Sequence, residues 1–353
     1  MQSTCRGWGK TNPNFFIHGA NINFANSLIL SKPQKSYFEY MRSLKLIILF
    51  VLITQLANAQ LTYQQVWVDY DSAWTFQNLQ LIPIRFKGQG NVAFYRQLLP
   101  SQYITLSEGM RTGKVKVKEF VTKGDADVHI LSVVNNSDKT ILINSGELLG
   151  GGKQDRVVGE TKLIPPGKEE QYVTVFCVEE GRWTKKPRAF SHSGNIDMEL
   201  RKTLDLTQRQ ADIWKEITQN LAAQNIKSTT SQYLQLDRDI IKVDSVYLNF
   251  FNRKLAKTDS SFAGFLAISG DRILGTEIFV TPTLFRNAWE SMLASFTKSA
   301  ITKGGIPSID KKKMEIFMDA LLENETSQKK TLAQIGKAYK FENLVIGLIA
   351  YGF

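Results

Sequence analysis

The chain has 353 residues, of which 44 are Lys or Arg and 33 are Asp or Glu, so its formal net charge at pH 7 is +11. The basic residues are spread along the chain, and this distribution does not indicate a nucleic-acid-binding surface. The densest basic run, Lys114, Lys116 and Lys118, alternates with Val115 and Val117, which predicts one solvated face of a strand.

The first predicted element is a secretory signal peptide at residues 41–59. Met41–Lys45 is short and basic, Leu46–Leu56 is apolar, and Ala57-Asn58-Ala59 resembles a cleavage site. The apolar run is shorter than the roughly 20 residues that a membrane span needs. We therefore expect export to the periplasm or the cell exterior after cleavage near Ala59, and a mature chain without a transmembrane segment.

A signal peptide normally begins the chain, so residues 1–40 are expected to be a disordered artefact of an upstream start site. The alternative is a genuine cytoplasmic leader. Cleavage would remove six Lys or Arg residues and one acidic residue, which lowers the net charge from +11 to +6. Only Cys177 would remain of the two cysteines, which excludes an internal disulfide in the mature chain.

Residues 61–183 predict a β-rich half. Short runs rich in Val, Ile, Tyr and Phe are bounded by turn residues. Because no long helix separates them, an antiparallel β-sandwich or barrel-like sheet is expected, with one short helix near residues 107–111. The predicted strands are 79–86, 115–121, 128–135, 140–149 and 171–178.

Residues 194–353 predict a helix-rich half with a β-hairpin. Apolar residues recur at helical spacing, and Gly270-Asp271 between two alternating runs is a hairpin signal. We interpret residues 60–353 as a single α+β domain; the alternative is a β domain with a helical half attached. The predicted helices are 196–222, 230–257, 284–302 and 311–322, and the hairpin strands are 262–269 and 272–280. The aromatic residues expected to pack against the sheet are Trp214, Tyr247, Phe250 and Phe251.

Two polar segments at the ends of predicted strands form the candidate site: Gly146–Arg156 and Cys177–Trp183. Each combines a carboxylate, a cation and glycine. Glu147 and Glu179 follow apolar residues at strand spacing, so both carboxylates are expected at a common rim. They are the candidate catalytic residues for carboxylate acid/base chemistry.

The same segments supply groups for binding an anion. Arginine offers a planar fork to carboxylate or phosphate, and the backbone N–H groups of Gly150–Gly152 can approach an anion closely. Trp183 can stack on a base or sugar ring. These features predict a site for a small anionic nucleotide- or sugar-derived ligand. The candidate ligand-binding residues are Lys153, Gln154, Arg156, Arg182 and Trp183.

Other interpretations remain open or fail on spacing. The charged residues of the two polar segments can instead pair with one another in a structural network. The protein would then be a noncatalytic cell-envelope interaction module. Gly146–Lys153 is one residue too long for a phosphate-binding P-loop, and Gln154 replaces the required Ser or Thr. Cys177 is expected to be a buried apolar thiol, with a catalytic nucleophile as the alternative. His192 is expected to be a loop histidine, with a general base as the alternative.

No metal site is predicted, since the His and Cys residues have no ligand spacing, although oxygen ligation by Glu147 and Glu179 is an alternative. The cofactor, the protein partners, the oligomeric state and the presence of catalysis are not specified by the sequence.

Several motifs together resemble a known family. They are Tyr103–Glu108, Ser145-Gly146-Glu147 with Gly151–Arg156, Cys177-Val178-Glu179 with Gly181-Arg182-Trp183, Gln210 with Trp214, and Gly270 with Phe279. Over about residues 62–300 the chain resembles the ADP-ribosylglycohydrolase and rhodanese-phosphatase superfamily-associated protein domain family. The resemblance implies association with proteins that process ADP-ribose and phosphate esters, and hence a ligand of the ADP-ribose or NAD-metabolite class. Asp155 stands where an asparagine is expected in many relatives.

Overall fold

The structure, a computed structural model, describes residues 61–88, 90–122, 124–258 and 261–352. All of these residues belong to one compact unit, Thr54–Phe353, and the remaining unit, Met1–Ile53, lies outside the described residues. The upstream segment 1–40 and the signal peptide 41–59 also lie outside them. Among the described residues, no helix has both the length and the apolar character needed to cross a membrane.

The first half of the described chain is mostly strands, and the second half is mostly helices with two pairs of strands. The strands are β1 (Val66–Val68), β2 (Trp74–Phe76), β3 (Leu79–Phe86), β4 (Tyr103–Thr105), β5 (Val115–Thr122), β6 (Asp125–Asn135), β7 (Thr140–Ile143), β8 (Glu147–Gly152), β9 (Arg156–Val158), β10 (Lys162–Ile164), β11 (Gly167–Cys177), β12 (Arg188–Asn195), β13 (Phe262–Ser269), β14 (Arg272–Phe279), β15 (Gly336–Phe341) and β16 (Leu344–Tyr351). The helices are α1 (Gly90–Leu98), α2 (Leu106–Arg111), α3 (Met198–Thr207), α4 (Gln210–Ala223), α5 (Leu234–Ala256), α6 (Pro282–Lys303), α7 (Lys311–Leu322) and α8 (Glu325–Ile335), with a short 3₁₀ helix at Tyr70–Ser72.

The strands form three sheets. A seven-stranded sheet has the order β1-β3-β13-β14-β16-β15, with β2 also paired to β3. A six-stranded sheet has the order β12-β8-β9-β11-β6-β5, and a small sheet has the order β10-β7-β4. The pairs are antiparallel except for β4 with β7. The fold class is therefore α+β, as predicted.

The seven-stranded sheet joins the two halves of the chain. β3 pairs directly with β13, so strands from the predicted β-rich half complete a sheet that belongs mostly to the helix-rich half. Its core contains Phe265, Phe285 and Trp289, whose rings are in mutual contact. Tyr247 of α5 packs edge-on against Phe76 of β2 at 5.0 Å between ring centroids. The predicted packing of the α5 aromatics against a sheet is confirmed.

The six-stranded sheet curves around a second apolar core. Val117, Leu131, Val173 and Val175 lie on its inner face. Leu148 and Val157 lie on its outer face and pack with α3 and α4 in a third core. The inner face also carries Arg156, which lies opposite Leu149 and Cys177.

Two long predicted elements are each divided in the structure. The predicted strand 140–149 becomes β7 and β8, because the chain turns at Gly146, whose φ is +93°. The predicted helix 196–222 becomes α3 and α4. Gln208 ends α3 in the left-handed conformation, and its side-chain amide donates hydrogen bonds to the carbonyls of Leu204 and Gly159.

Candidate functional site

Glu147 begins β8 and is buried at 2% exposure. One of its carboxylate oxygens accepts a hydrogen bond from the Asn144 N–H at 2.9 Å. Its other oxygen lies 3.4 Å from Nε2 of His192. His192 lies on β12 opposite Leu149, so its predicted position in a loop is wrong. Glu147 thus closes the turn between β7 and β8.

Arg182 joins a group of charged and polar side chains, which we call the Arg182 cluster: Gln154, Asp155, Glu179 and Arg182. The Arg182 guanidinium donates hydrogen bonds to Glu179 and, at 2.8 Å, to Asp155 Oδ1. It also donates to the carbonyl groups of Gly151 and Gly152. Every group of this guanidinium is engaged within the protein, as the structural interpretation expects.

The remaining oxygens of the Arg182 cluster also have partners. Gln232 Nε2 donates to Asp155 Oδ2 at 2.7 Å, and Thr230 Oγ1 donates to Glu179 Oε1 at 3.2 Å. Gln154 Nε2 donates to the Glu179 carbonyl at 2.9 Å. The cluster therefore ties the chain after β8 to the chain after β11.

The strand register separates Glu147 from Glu179. Leu149 on β8 lies opposite Arg156 on β9, and Arg156 lies opposite Cys177 on β11. Glu147 precedes Leu149 by two residues, whereas Glu179 follows Cys177 by two. This offset of four residues is about 13 Å along the strands at about 3.3 Å per residue. The two carboxylates do not share the expected rim, and their catalytic roles stay untested predictions.

The glycine-rich segment uses its N–H groups internally. The Gly151 N–H donates to Asp155 Oδ1 at 2.8 Å, and the Gly150 N–H donates to Ser193 Oγ at 3.2 Å. These two N–H groups are therefore bonded within the protein and do not point at an anion. Glycine is required at position 151 for another reason: its φ is +124°, and a Cβ there would lie 2.5 Å from the Ala189 carbonyl oxygen.

We expect Gly151→Ala to lower the free energy of unfolding by roughly 1–3 kcal/mol, because the side chain strains the backbone and meets β12. Gly167→Ala is the matched control, since a Cβ at Gly167 has no neighbour within 4 Å. Urea denaturation of both variants measures the difference. Equal stability of the two variants would contradict this account of the glycine.

A cavity of about 450 Å³ lies between β5 and β12, the two edge strands of the curved sheet. Its apolar wall includes Met110, Val117 and Phe190. Its basic lining consists of Lys116, Lys118 and Arg188, all exposed residues. The exposure of these lysines confirms the predicted solvated face of β5.

The predicted residues Lys153 and Trp183 lie beside this cavity. Lys153 directly follows Gly152, which lines the cavity. Its Nζ lies 4.9 Å from the centroid of the Trp183 ring. Trp183 is 42% exposed, which leaves part of the ring accessible for stacking.

Glu119 is a cavity residue that the sequence analysis missed. It extends the buried face of β5 that begins with Val115 and Val117, so an acidic residue at the end of an apolar alternation was the available signal. Glu119 Oε1 accepts a hydrogen bond from the Lys153 N–H at 2.7 Å. This contact joins β5 to the end of β8 across the gap between the edge strands.

Arg156 lies behind Glu119 on the inner face of the sheet. Its side chain is fully buried, and Nη2 lies 3.9 Å from Glu119 Oε2. Nη1 donates to Gln154 Oε1 at 3.3 Å. Arg156 is therefore the link between the Arg182 cluster and the cavity.

Cys177 lies opposite Arg156 and is buried, as predicted. Burial raises the pKa of the Cys177 thiol, and this effect outweighs the opposing charge of Arg156. The thiol is therefore protonated at neutral pH, which disfavours the alternative of a nucleophile. In the described part of the chain, no group of three or more His, Cys, Asp or Glu residues is arranged to hold a metal ion.

This combination defines an α+β protein with a curved six-stranded sheet, a cavity between its edge strands and a paired charge cluster beside it. Residues 67–347 match the model of the ARG and Rhodanese-Phosphatase-superfamily-associated Protein domain. The chain belongs to this family, and the predicted resemblance is confirmed. Comparison with curated proteins and with solved structures gives no match.

Proposed function

We propose that the chain is an exported domain that binds an anionic nucleotide- or sugar-derived ligand of the ADP-ribose or NAD-metabolite class. The ligand occupies the cavity between β5 and β12. The observation that carries this proposal is the combination of a cavity of about 450 Å³ with a lining that is apolar on one side and basic on another. Cavities of about 300–1,000 Å³ with few polar groups are typical of small-molecule sites.

Charge supports an anionic ligand. The cavity is lined by Lys116, Lys118 and Arg188, and Lys153 is the residue after Gly152, which also lines it. Cations around a concave surface attract and orient phosphate or carboxylate groups. Trp183 is placed near Lys153 to stack on a base or sugar ring of a ligand that extends out of the cavity.

Processing of the ligand has less support than binding. Acid/base hydrolysis by Glu147 and Glu179 needs both carboxylates at one bond, commonly within about 10 Å of each other in glycoside hydrolysis. The register offset between them exceeds that separation. We therefore propose binding of the ligand without its hydrolysis. The Arg182 cluster supports one wall of the cavity.

The second candidate is a noncatalytic cell-envelope interaction module. The extensive internal pairing of Arg182 with Asp155 and Glu179 favours it, because a paired cluster offers little to a ligand. The first candidate predicts that the protein binds a small molecule, and the second does not.

Thermal melting of residues 60–353 with ADP-ribose, NAD, nucleotides and sugar phosphates tests the proposal. A ligand at 100 times its Kd adds about 2.7 kcal/mol. At roughly 2–4 °C per kcal/mol, we expect Tm to rise by roughly 5–10 °C. The double variant Lys116→Glu and Lys118→Glu should lose most of this shift.

The matched control replaces two exposed lysines of α8, Lys329→Glu and Lys330→Glu, and should keep the shift. It changes the net charge by the same amount on a helix that does not line the cavity. If no compound changes Tm, the interaction module is favoured instead.

A further inference from the structure

We infer that the inner end of the cavity binds a hydroxyl group of the ligand between Arg156 and Glu119. This inference rests on the proposed function and names the chemistry of the ligand: a sugar phosphate whose ring hydroxyl points inward and whose phosphate faces the basic lining. It depends on two incompletely bonded side chains, the fully buried Arg156 and the partly buried Glu119.

Arg156 has unused hydrogen-bond donors in a fully buried position. Within the described residues, its Nε and Nη2 have no hydrogen-bond partner. Buried polar groups are nearly always hydrogen-bonded, and arginine is rarely buried without being paired. Two unpartnered nitrogens on one buried guanidinium therefore point to a group that joins them in the bound state.

Glu119 offers the complementary acceptor. Its Oε1 is bonded to the Lys153 N–H, but its Oε2 is buried and has no hydrogen-bond partner among the described residues. Oε2 lies 3.9 Å from Arg156 Nη2, which is too long for a direct hydrogen bond. The pair is close enough to interact electrostatically and far enough apart to admit a bridging atom.

One oxygen atom fits this separation. Two hydrogen bonds of about 2.8 Å span 3.9 Å when they meet at an angle of roughly 90°. The bridging oxygen must accept from Arg156 and donate to Glu119, which a hydroxyl group can do. A phosphate or carboxylate at the same place would be repelled by Glu119, so the charged part of the ligand belongs at Lys116, Lys118 and Arg188.

Both side chains point to the same place. Glu119 lies opposite Leu131, and Leu131 lies opposite Val173, a residue of the inner core. Arg156 lies opposite Leu149, also of that core. Glu119 lines the cavity, and Arg156 lies next to its carboxylate on the same face of the sheet.

Calorimetric titration with ribose 5-phosphate and its 2-deoxy and 3-deoxy analogues tests this inference on the unmodified mature protein. We expect at least one deoxy analogue to bind about tenfold more weakly than ribose 5-phosphate, because it leaves charged groups without a hydrogen bond. Equal affinities for the three sugars would overturn the inference, and a buried water alone between the two side chains would give that result.

Glu119→Gln provides the second measurement. Its amide places a donor against Arg156. The ratio of the affinity for ribose 5-phosphate to the affinity for the weaker deoxy analogue should therefore fall close to one. Glu170→Gln, at an exposed carboxylate of β11, should keep the preference. A preference that survives in Glu119→Gln would place the hydroxyl elsewhere and overturn the inference.

The two proposals fail in different ways. If ADP-ribose, ribose 5-phosphate and inorganic phosphate all fail to bind, the proposed function is wrong. If ribose 5-phosphate binds and all the deoxy sugars bind equally well, the proposed function stands and only the hydroxyl site is wrong.

Discussion

Replacing Glu277 with Gln is expected to lower the free energy of unfolding by roughly 3–5 kcal/mol, because it leaves a buried guanidinium without its counter-charge. Glu277 on β14 receives two hydrogen bonds from Arg201 on α3, at 2.9 and 2.8 Å. Both side chains are 1% exposed. At roughly 2–4 °C per kcal/mol, the loss should lower Tm by roughly 6–20 °C.

The surroundings of this pair increase the effect. Tyr339 donates to Glu277 Oε1 at 2.6 Å. Burial raises the pKa of Tyr339 well above its ordinary value, against the opposing charge of Arg201, so the phenol stays a donor. The pair joins α3 to the strands of the seven-stranded sheet.

A surface ion pair provides the matched control for Glu277→Gln. Glu315 lies 4.0 Å from Lys312 at the surface of α7, and Glu315→Gln should change the stability by less than about 1 kcal/mol. Chemical denaturation of both variants measures the difference. A loss below about 1 kcal/mol for Glu277→Gln would contradict the assigned role of the buried pair.

The second large effect is expected at Asp155. Asp155→Ala removes the acceptor of three hydrogen bonds, from Gly151, Arg182 and Gln232. Unsatisfied buried groups cost about 1–3 kcal/mol each, and partial access of water to Arg182 reduces the sum. We expect a loss of roughly 3 kcal/mol in the free energy of unfolding.

Asp155→Asn separates hydrogen bonding from charge. Its carbonyl oxygen can keep the bonds from Gly151 and Arg182, and the amide of Gln232 can turn to accept from the new NH₂ group. We therefore expect a loss of only about 1 kcal/mol, which fits the asparagine expected here in relatives. Equal losses in the Ala and Asn variants, measured by urea denaturation, would contradict this hydrogen-bonding pattern.

Local signals in the sequence were sufficient for many elements. Strand β3 and helix α7 have their predicted bounds, and the hairpin of β13 and β14 turns at Gly270, whose φ of +61° favours glycine. These elements combine a clear apolar period with a turn or cap. Helix α7 also has an N-cap, Asp310, whose side chain accepts a hydrogen bond from the Lys312 N–H.

Long-range pairing was the part of the fold that the sequence could not provide. The C-terminal hairpin of β15 and β16 was not predicted. β16 lies between β14 and β15 and is largely buried, so its apolar run lacks the alternation of a half-exposed strand. The pairing of β3 with β13 joins residues far apart in the chain, and no local pattern encodes it.

The candidate site was predicted as a set of residues but not as an arrangement. Arg182, Asp155 and Glu179 do meet, because Asp155 directly precedes β9, and Glu179 and Arg182 follow β11, the strand that pairs with β9. Glu147 lies elsewhere because register, which spacing within one strand does not specify, offsets it from Glu179. The cavity depends on the approach of β5 to β12, and Glu119 becomes recognisable only through that approach.

A crystal structure of residues 60–353 grown with ADP-ribose tests the central claim most directly. We predict electron density for the ligand in the cavity between β5 and β12, with a phosphate near Lys116, Lys118 or Arg188 and the Arg182 cluster still paired. Density against Arg182, Asp155 and Glu179 with their contacts broken would contradict this account.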